Sequence, residues 1–159
     1  MRLTELAADR QGEWSALLSP CRELRELELD MTIHGDKEAE IISSITSSSI
    51  RKISLVYRWS VASYSWRTTH WGTLNEPLCQ LVDRLGSTHG LEVEIRTVDV
   101  GGGGTYEDTD LGVIVSSLAA FREKGRIRLV YVDRDKRAHV FYPPDLSSTN
   151  RSRGGRGTE

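Results

Sequence analysis

Two stretches, "LRELEL" at Leu24–Leu29 and "IRKISL" at Ile50–Leu55, decide how the chain is read. Each has the form apolar-x-x-apolar-x-apolar, and Leu24, Leu27 and Leu29 lie 26 residues before Ile50, Ile53 and Leu55. The last three apolar and polar positions of each stretch alternate with period two, as in a strand with one buried face. Between them, "DKEAEIISSITSS" carries Ala39, Ile41, Ile42 and Ile45 close to the i, i+3, i+4 spacing of an amphipathic helix. One repeat is therefore a strand followed by a helix.

Outward from this pair the alternation continues with longer spacing. "TLNEPLCQLVDRLG" places Leu74, Leu78, Leu81, Val82 and Leu85 on one helical face, with Thr73 and Glu76 spaced as a capping box, Pro77 read as first-turn, and Gly86 as the stop. "LEVEIRTV" from Leu91 to Val98 is a further strand. "DTDLGVIVSSLAAFREKG" reads as one helix ending at Gly125, and "RIRLVYV" follows as a strand. The polar turn "DRDKR" and the segment "AHVFY" predict a returning strand and a terminal hairpin, closed by Pro143 and Pro144. Strands joined by helices over short connections imply a parallel sheet. Because "ELEL", "KISL", "EVEI" and "RIRL" all alternate, one sheet face is expected to be wet and the helices to lie on the other. The expected fold is α/β, a parallel sheet of about four strands with helices on one face, over residues 1–144. Residues 145–159, "DLSSTNRSRGGRGTE", read as a disordered tail with too little apolar surface to order itself.

The "LRELELDM" and "IRKISLVY" units resemble leucine-rich repeats, whose pattern L-x-x-L-x-L recurs every 20 to 29 or so residues. With "LNEPLCQLVDRL", "LEVEIR" and "LAAFREKGRIRLV", the span Leu24 to Asp133 is similar to the irregular C-terminal repeat region of the F-box and leucine-rich-repeat-like proteins of mushroom-forming fungi. The resemblance implies a solenoid fragment that binds proteins and has no enzymatic activity. The pattern departs at Thr32 and Arg58, which stand where an asparagine or cysteine would tighten a regular repeat. No F-box segment is visible, so only the recognition half of such a protein is implied. "LTEL" at Leu3–Leu6 reads as an earlier repeat entered partway. An uncapped solenoid end exposes apolar edge, which predicts a fragment of a longer protein, self-association through that end, or a partner covering it.

The run "GGGG" at Gly101–Gly104 follows a strand, but no lysine comes before Lys124, and Glu107, Asp108 and Asp110 would repel a phosphate. It reads as a connector. Asp133 and Asp135, with Asp108 and Asp110, could share a divalent cation in a small phosphoryl- or glycosyl-transferring enzyme. That is the alternative to the binding module, against which stand the surrounding Arg134, Lys136 and Arg137 and the commonness of aspartates in hairpin turns. The four histidines lack ligand spacing, and no cofactor is implied. Binding candidates come from "YRWSVASYSWRTTHWG", Tyr57–Gly72, rich in the Trp, Tyr and Arg types that dominate interfaces. Some of these aromatics are expected to fold back over the core. Trp59, Trp66, Arg58, Arg67 and Tyr64 are the expected partner-binding residues. The formal net charge of −2 and a wet face of alternating sign argue against nucleic acid. Cys21 and Cys79 lack metal or disulfide spacing, and no run suits a signal peptide or membrane span. These features predict an intracellular protein, cytoplasmic or nuclear.

Overall fold

The computed structural model describes residues 2–3, 14–30, 37–59, 71–86, 90–100 and 108–142. Strands β1 (Arg2–Leu3), β2 (Glu26–Asp30), β3 (Lys52–Trp59), β4 (Glu92–Asp99), β5 (Arg126–Val132) and β6 (Ala138–Tyr142) form one sheet in chain order. The first five are parallel and β6 returns antiparallel to β5, so the predicted hairpin is present. Between them lie α1 (Trp14–Leu18), α2 (Glu38–Ser43), α3 (Gly72–Leu85), α4 (Asp108–Ser117) and α5 (Ala119–Lys124).

The repeat spacing is also the pairing register. Leu27 pairs with Ile53 and Leu29 with Leu55, each 26 residues on, and β1 joins at the same offset, Leu3 beside Leu29. Between β3 and β4 the offset lengthens, Ile53 pairing with Val93. Alternation then sorts the strands. Leu27, Leu29, Ile53, Leu55, Val93, Ile95, Ile127 and Leu129 share one buried cluster with Leu18, Ile42, Leu78, Ile114 and Phe121 of the helical layer. The five helices of the described residues thus cover one face. Val56 and Val130, buried but outside that cluster, belong to the opposite face.

Helix ends depart from the sequence reading for reasons that are not local. α3 begins at Gly72 with Trp71 as N-cap and no side-chain capping bond, so Thr73 and Glu76 form no capping box at its start. Trp71 is buried edge-to-face against Tyr57, ring centroids 5.4 Å apart, and that anchor sets where the helix starts. Pro77 consequently falls in the second turn, where it cannot donate to the Thr73 carbonyl. The expected single helix over residues 108–124 is two: the chain leaves helical geometry at Leu118, φ −103° and ψ 27°, and α5 starts afresh. Asn75 of α3 accepts the Phe121 N–H at 3.0 Å, supplying from a neighbouring helix the cap that α5 lacks in its own sequence. Lys124 then reaches Asp83 at 2.7 Å, tying the far end of α5 to α3.

Pro143, Pro144, the Gly101–Gly104 run and residues 145–159 lie outside the described residues. Among the described residues Cys21 and Cys79 form no disulfide. Among the described residues no helix is long and apolar enough to cross a membrane.

Candidate interaction face

The sheet face turned away from the helices is built from the even-numbered residues of β2 to β5, and register stacks them in rows. Nearest the amino-terminal ends come Glu26, Lys52, Glu92 and Arg126, and next Glu28, Ser54, Glu94 and Arg128. Opposite charges on neighbouring strands meet as the alternation predicts. Lys52 Nζ lies 2.9 Å from Glu94 Oε2 and 3.6 Å from Glu92 Oε1, while Arg128 Nη1 lies 3.5 Å from Glu94. Arg96, two residues along β4, hydrogen-bonds Glu94 as well and approaches Glu28 at 3.9 Å.

Glu94 is the hub of this ladder and is buried. Burial alone would raise its pKa, but the hydrogen bonds from Lys52 and Arg96 and their charges outweigh it and hold the carboxyl below the ordinary glutamate range. A carboxylate so neutralised is part of the frame rather than a free ligand group.

Toward the carboxyl ends of the strands the same face changes character. The third row reads Asp30, Val56, Arg96, Val130 and Val140, and the fourth Arg58, Val98, Val132 and Ala138. Val56 and Val130 are buried, Val98 and Val132 half-buried, and Val140 is 38% exposed. Val100, one residue beyond β4, is 51% exposed. The result is an apolar strip across β4, β5 and β6 with Arg58, Arg96 and the charged rows along its border. An apolar centre with a polar rim is the usual anatomy of a protein-binding patch.

On the helix side the carboxyl ends are polar instead. Tyr57, Thr97 and Tyr131 occupy one row. The Tyr57 hydroxyl donates to Glu38 Oε1 at 3.2 Å, and Tyr131 donates to Asp99 at 3.4 Å, with Arg134 Nε 3.3 Å from the same carboxylate. Burial, then the Asp99 charge, push the Tyr131 phenol up. Thr97 is buried, and its hydroxyl has no hydrogen-bond partner among the described residues. Apart from Tyr57, which opens the aromatic segment, none of these residues stands out as a binding candidate in the sequence pattern.

Of the expected binding residues, Arg58 stands at the edge of the valine strip, in register with Val98, and bonds Asp30 at 2.8 Å. Trp59 closes β3 in register with Asp99, but its side chain lies outside the described residues, as do Tyr64, Trp66 and Arg67 entirely. The structure therefore brings Arg58 to the strip and does not describe the other four beside it. Tyr57 and Trp71, from the same aromatic segment, fold back into the core.

Asp133 closes the β5–β6 hairpin. Its carboxylate accepts the Arg137 N–H at 2.8 Å and lies 2.9 Å from His139 Nε2, contacts that hold its pKa below the usual aspartate range. Asp135 is exposed in the turn, and the side chains of Asp108 and Asp110 at the start of α4 lie outside the described residues. Among the described residues no three His, Cys, Asp or Glu side chains converge on a metal position. At the opposite end of the sheet an open hollow of about 300 Å³ is lined by Ser19, Arg22, Thr46 and Ser48. It lies beyond the carbonyl ends of α1 and α2, where the helix dipoles oppose an anion beside Arg22.

Comparison with protein-family models, with curated proteins and with solved structures gave no match.

Proposed function

We propose that the chain is a non-enzymatic protein-interaction module of leucine-rich-repeat type, engaging a protein partner through the sheet face that the helices leave bare. The 26-residue offset shared by the β1–β2 and β2–β3 pairings and the strict chain order of the strands support a repeat-built solenoid. The observation that carries the binding role is the valine strip of Val98, Val132 and Val140. Apolar side chains stand there on the outer face while polar Thr97 and Asp99 turn toward the helices. The charged rows contribute orientation, since their internal pairing leaves little net field to draw a partner in. Arg58 extends the patch along β3, and Trp59, Tyr64, Trp66 and Arg67 remain its proposed neighbours.

The test is capture of a protein partner by the purified chain. Val98→Glu with Val132→Glu should abolish capture while circular dichroism stays unchanged. Val113→Glu, on the helix surface and already 58% exposed, should leave capture intact. Undiminished capture by the folded double variant would overturn the reading.

A further inference from the structure

The apolar strip runs out to β6, the last strand of the sheet, and β6 has the properties of an edge open for pairing. Ala138, His139 and Val140 are exposed in succession, and among the described residues no strand lies beyond them. The hairpin geometry says which of their backbone groups face outward. Asp133 N–H donates to the Arg137 carbonyl at 3.0 Å, so residues 133 and 137 form a hydrogen-bonded pair. Antiparallel pairs alternate between bonded and non-bonded, and the register then runs Val132 with Ala138, Tyr131 with His139 and Val130 with Val140. Ala138 and Val140 are non-bonded positions toward β5, and their N–H and C=O groups point to the free edge.

Soluble proteins blunt such edges with lysine, proline or inward charge. "AHVFY" contains none of these, and the register shift in its pairing with β5, another such device, falls beyond Val140, between the Val130 and Leu129 pairs. The charge sits at one end only: Lys136 and Arg137, in the turn that leads into β6, are exposed, and their side chains form no ion pair among the described residues. Arg134 beside them is engaged with Asp99.

We propose that β6 takes up an extended segment of a protein partner by strand addition, antiparallel to β6, with acidic residues at the segment's carboxyl end beside Lys136 and Arg137. This rests on the interaction-module reading and names the form of the partner. Edge pairing supplies main-chain hydrogen bonds to Ala138 and Val140. Alternate apolar side chains of the segment continue the strip of Val132 and Val140. In an antiparallel addition the segment's carboxyl end lies next to the amino end of β6, which is where the two cations stand.

The probe is a synthetic peptide of alternating threonine and valine ending in three glutamates, titrated into the full chain and followed by amide hydrogen exchange and nuclear magnetic resonance. Ala138 and Val140 amides should gain protection. Val140→Pro removes an N–H that serves only the free edge, so the hairpin persists and binding should fall by about tenfold or more. Lys136→Glu and Arg137→Glu should each weaken binding about two- to fivefold, and a lysine-ended peptide should recover the loss. No binding near millimolar peptide, or binding indifferent to Val140→Pro, would overturn the proposal. So would shifts confined to Val98 and Val132, which would leave the face itself as the binding surface. Sedimentation showing a dimer that Val140→Pro dissolves would likewise overturn it, by assigning the edge to a second copy.

Discussion

Replacing Glu94 with glutamine tests whether the outer ladder is a structural frame. Its carboxylate is buried among Lys52, Arg96 and Arg128, whose side chains are 27%, 31% and 42% exposed. Breaking a fully buried ion pair costs about 3–5 kcal/mol, because the orphaned partner stays desolvated. Here the three cations reach water and can rehydrate, and exposed pairs are worth only about 0.2–1 kcal/mol each. The loss for Glu94→Gln at neutral pH is therefore about 1–3 kcal/mol, which in a chain of this size lowers Tm by roughly 2–12 °C. The pH dependence follows from the depressed carboxyl. A group whose folded pKa lies below its unfolded value, about 4.3 for glutamate, contributes fully above that value and loses its contribution as pH falls through the folded one. Wild type and variant should differ by a constant amount from pH 7 to about 5.5 and converge as pH falls through the lowered folded pKa. Urea denaturation across this range is the assay, with Lys52→Met and the double variant closing a cycle. A difference under about 0.5 kcal/mol at pH 7, or one that persists undiminished toward pH 2, would refute the ladder as a source of stability.

Two further substitutions probe the backbone. Lys136 holds φ at 60°, the left-handed position that closes the β5–β6 turn and where glycine is at ease. Relief of about 1–2 kcal/mol of strain, less the greater entropy of unfolded glycine, should make Lys136→Gly more stable by about 0.5–1 kcal/mol in thermal denaturation, and a loss would contradict the turn geometry. A Cβ at Gly125 would overlap the Phe121 ring and sit 3.0 Å from the Leu91 carbonyl oxygen. Gly125→Ala should cost about 1–3 kcal/mol in urea unfolding, and a neutral result would mean that the ring has room to move.

Much of the sheet was legible because two independent signals agreed. Period two in "LEL" and "ISL" fixed the buried face, and the 26-residue offset fixed which residues would stand side by side, as the pairing of Leu27 with Ile53 bears out. The amino-terminal charges were legible for the same reason, and Lys52 meets Glu92 and Glu94 where alternation put them. The valine strip is hidden because the alternation of the first four residues of each strand does not persist to its carboxyl end. "TVDV" and "VYVD" carry polar and apolar residues in the reverse sense, so no short window announces a second apolar face. The break at Leu118 was beyond local reading, since the group that caps α5 is Asn75, 46 residues before the N–H it accepts. The aromatic segment gave composition without direction: Tyr57 and Trp71 are core, and Arg58, exposed at the edge of the strip, is the one expected binding residue whose side chain is described.

The reversal along β4 is the physical reason to look for a partner at the carboxyl ends of the strands. A sheet optimised only for its own core would turn Val98 inward and Thr97 and Asp99 out. Instead Asp99 is buried against Tyr131 and Arg134, and Thr97 buries a hydroxyl with no partner among the described residues. A buried unsatisfied hydroxyl costs about 1–3 kcal/mol, and each half-exposed valine forgoes roughly 1 kcal/mol of burial. A fold breaks its local rules mostly where something other than folding is being served. Covering Val98, Val132 and Val140 would recover the valine part of that loss on binding, and a strand added to β6 would extend the strip beside Val140. The charged rows beside the strip, already neutralised through Glu94, would then fix which way the partner lies without having to attract it.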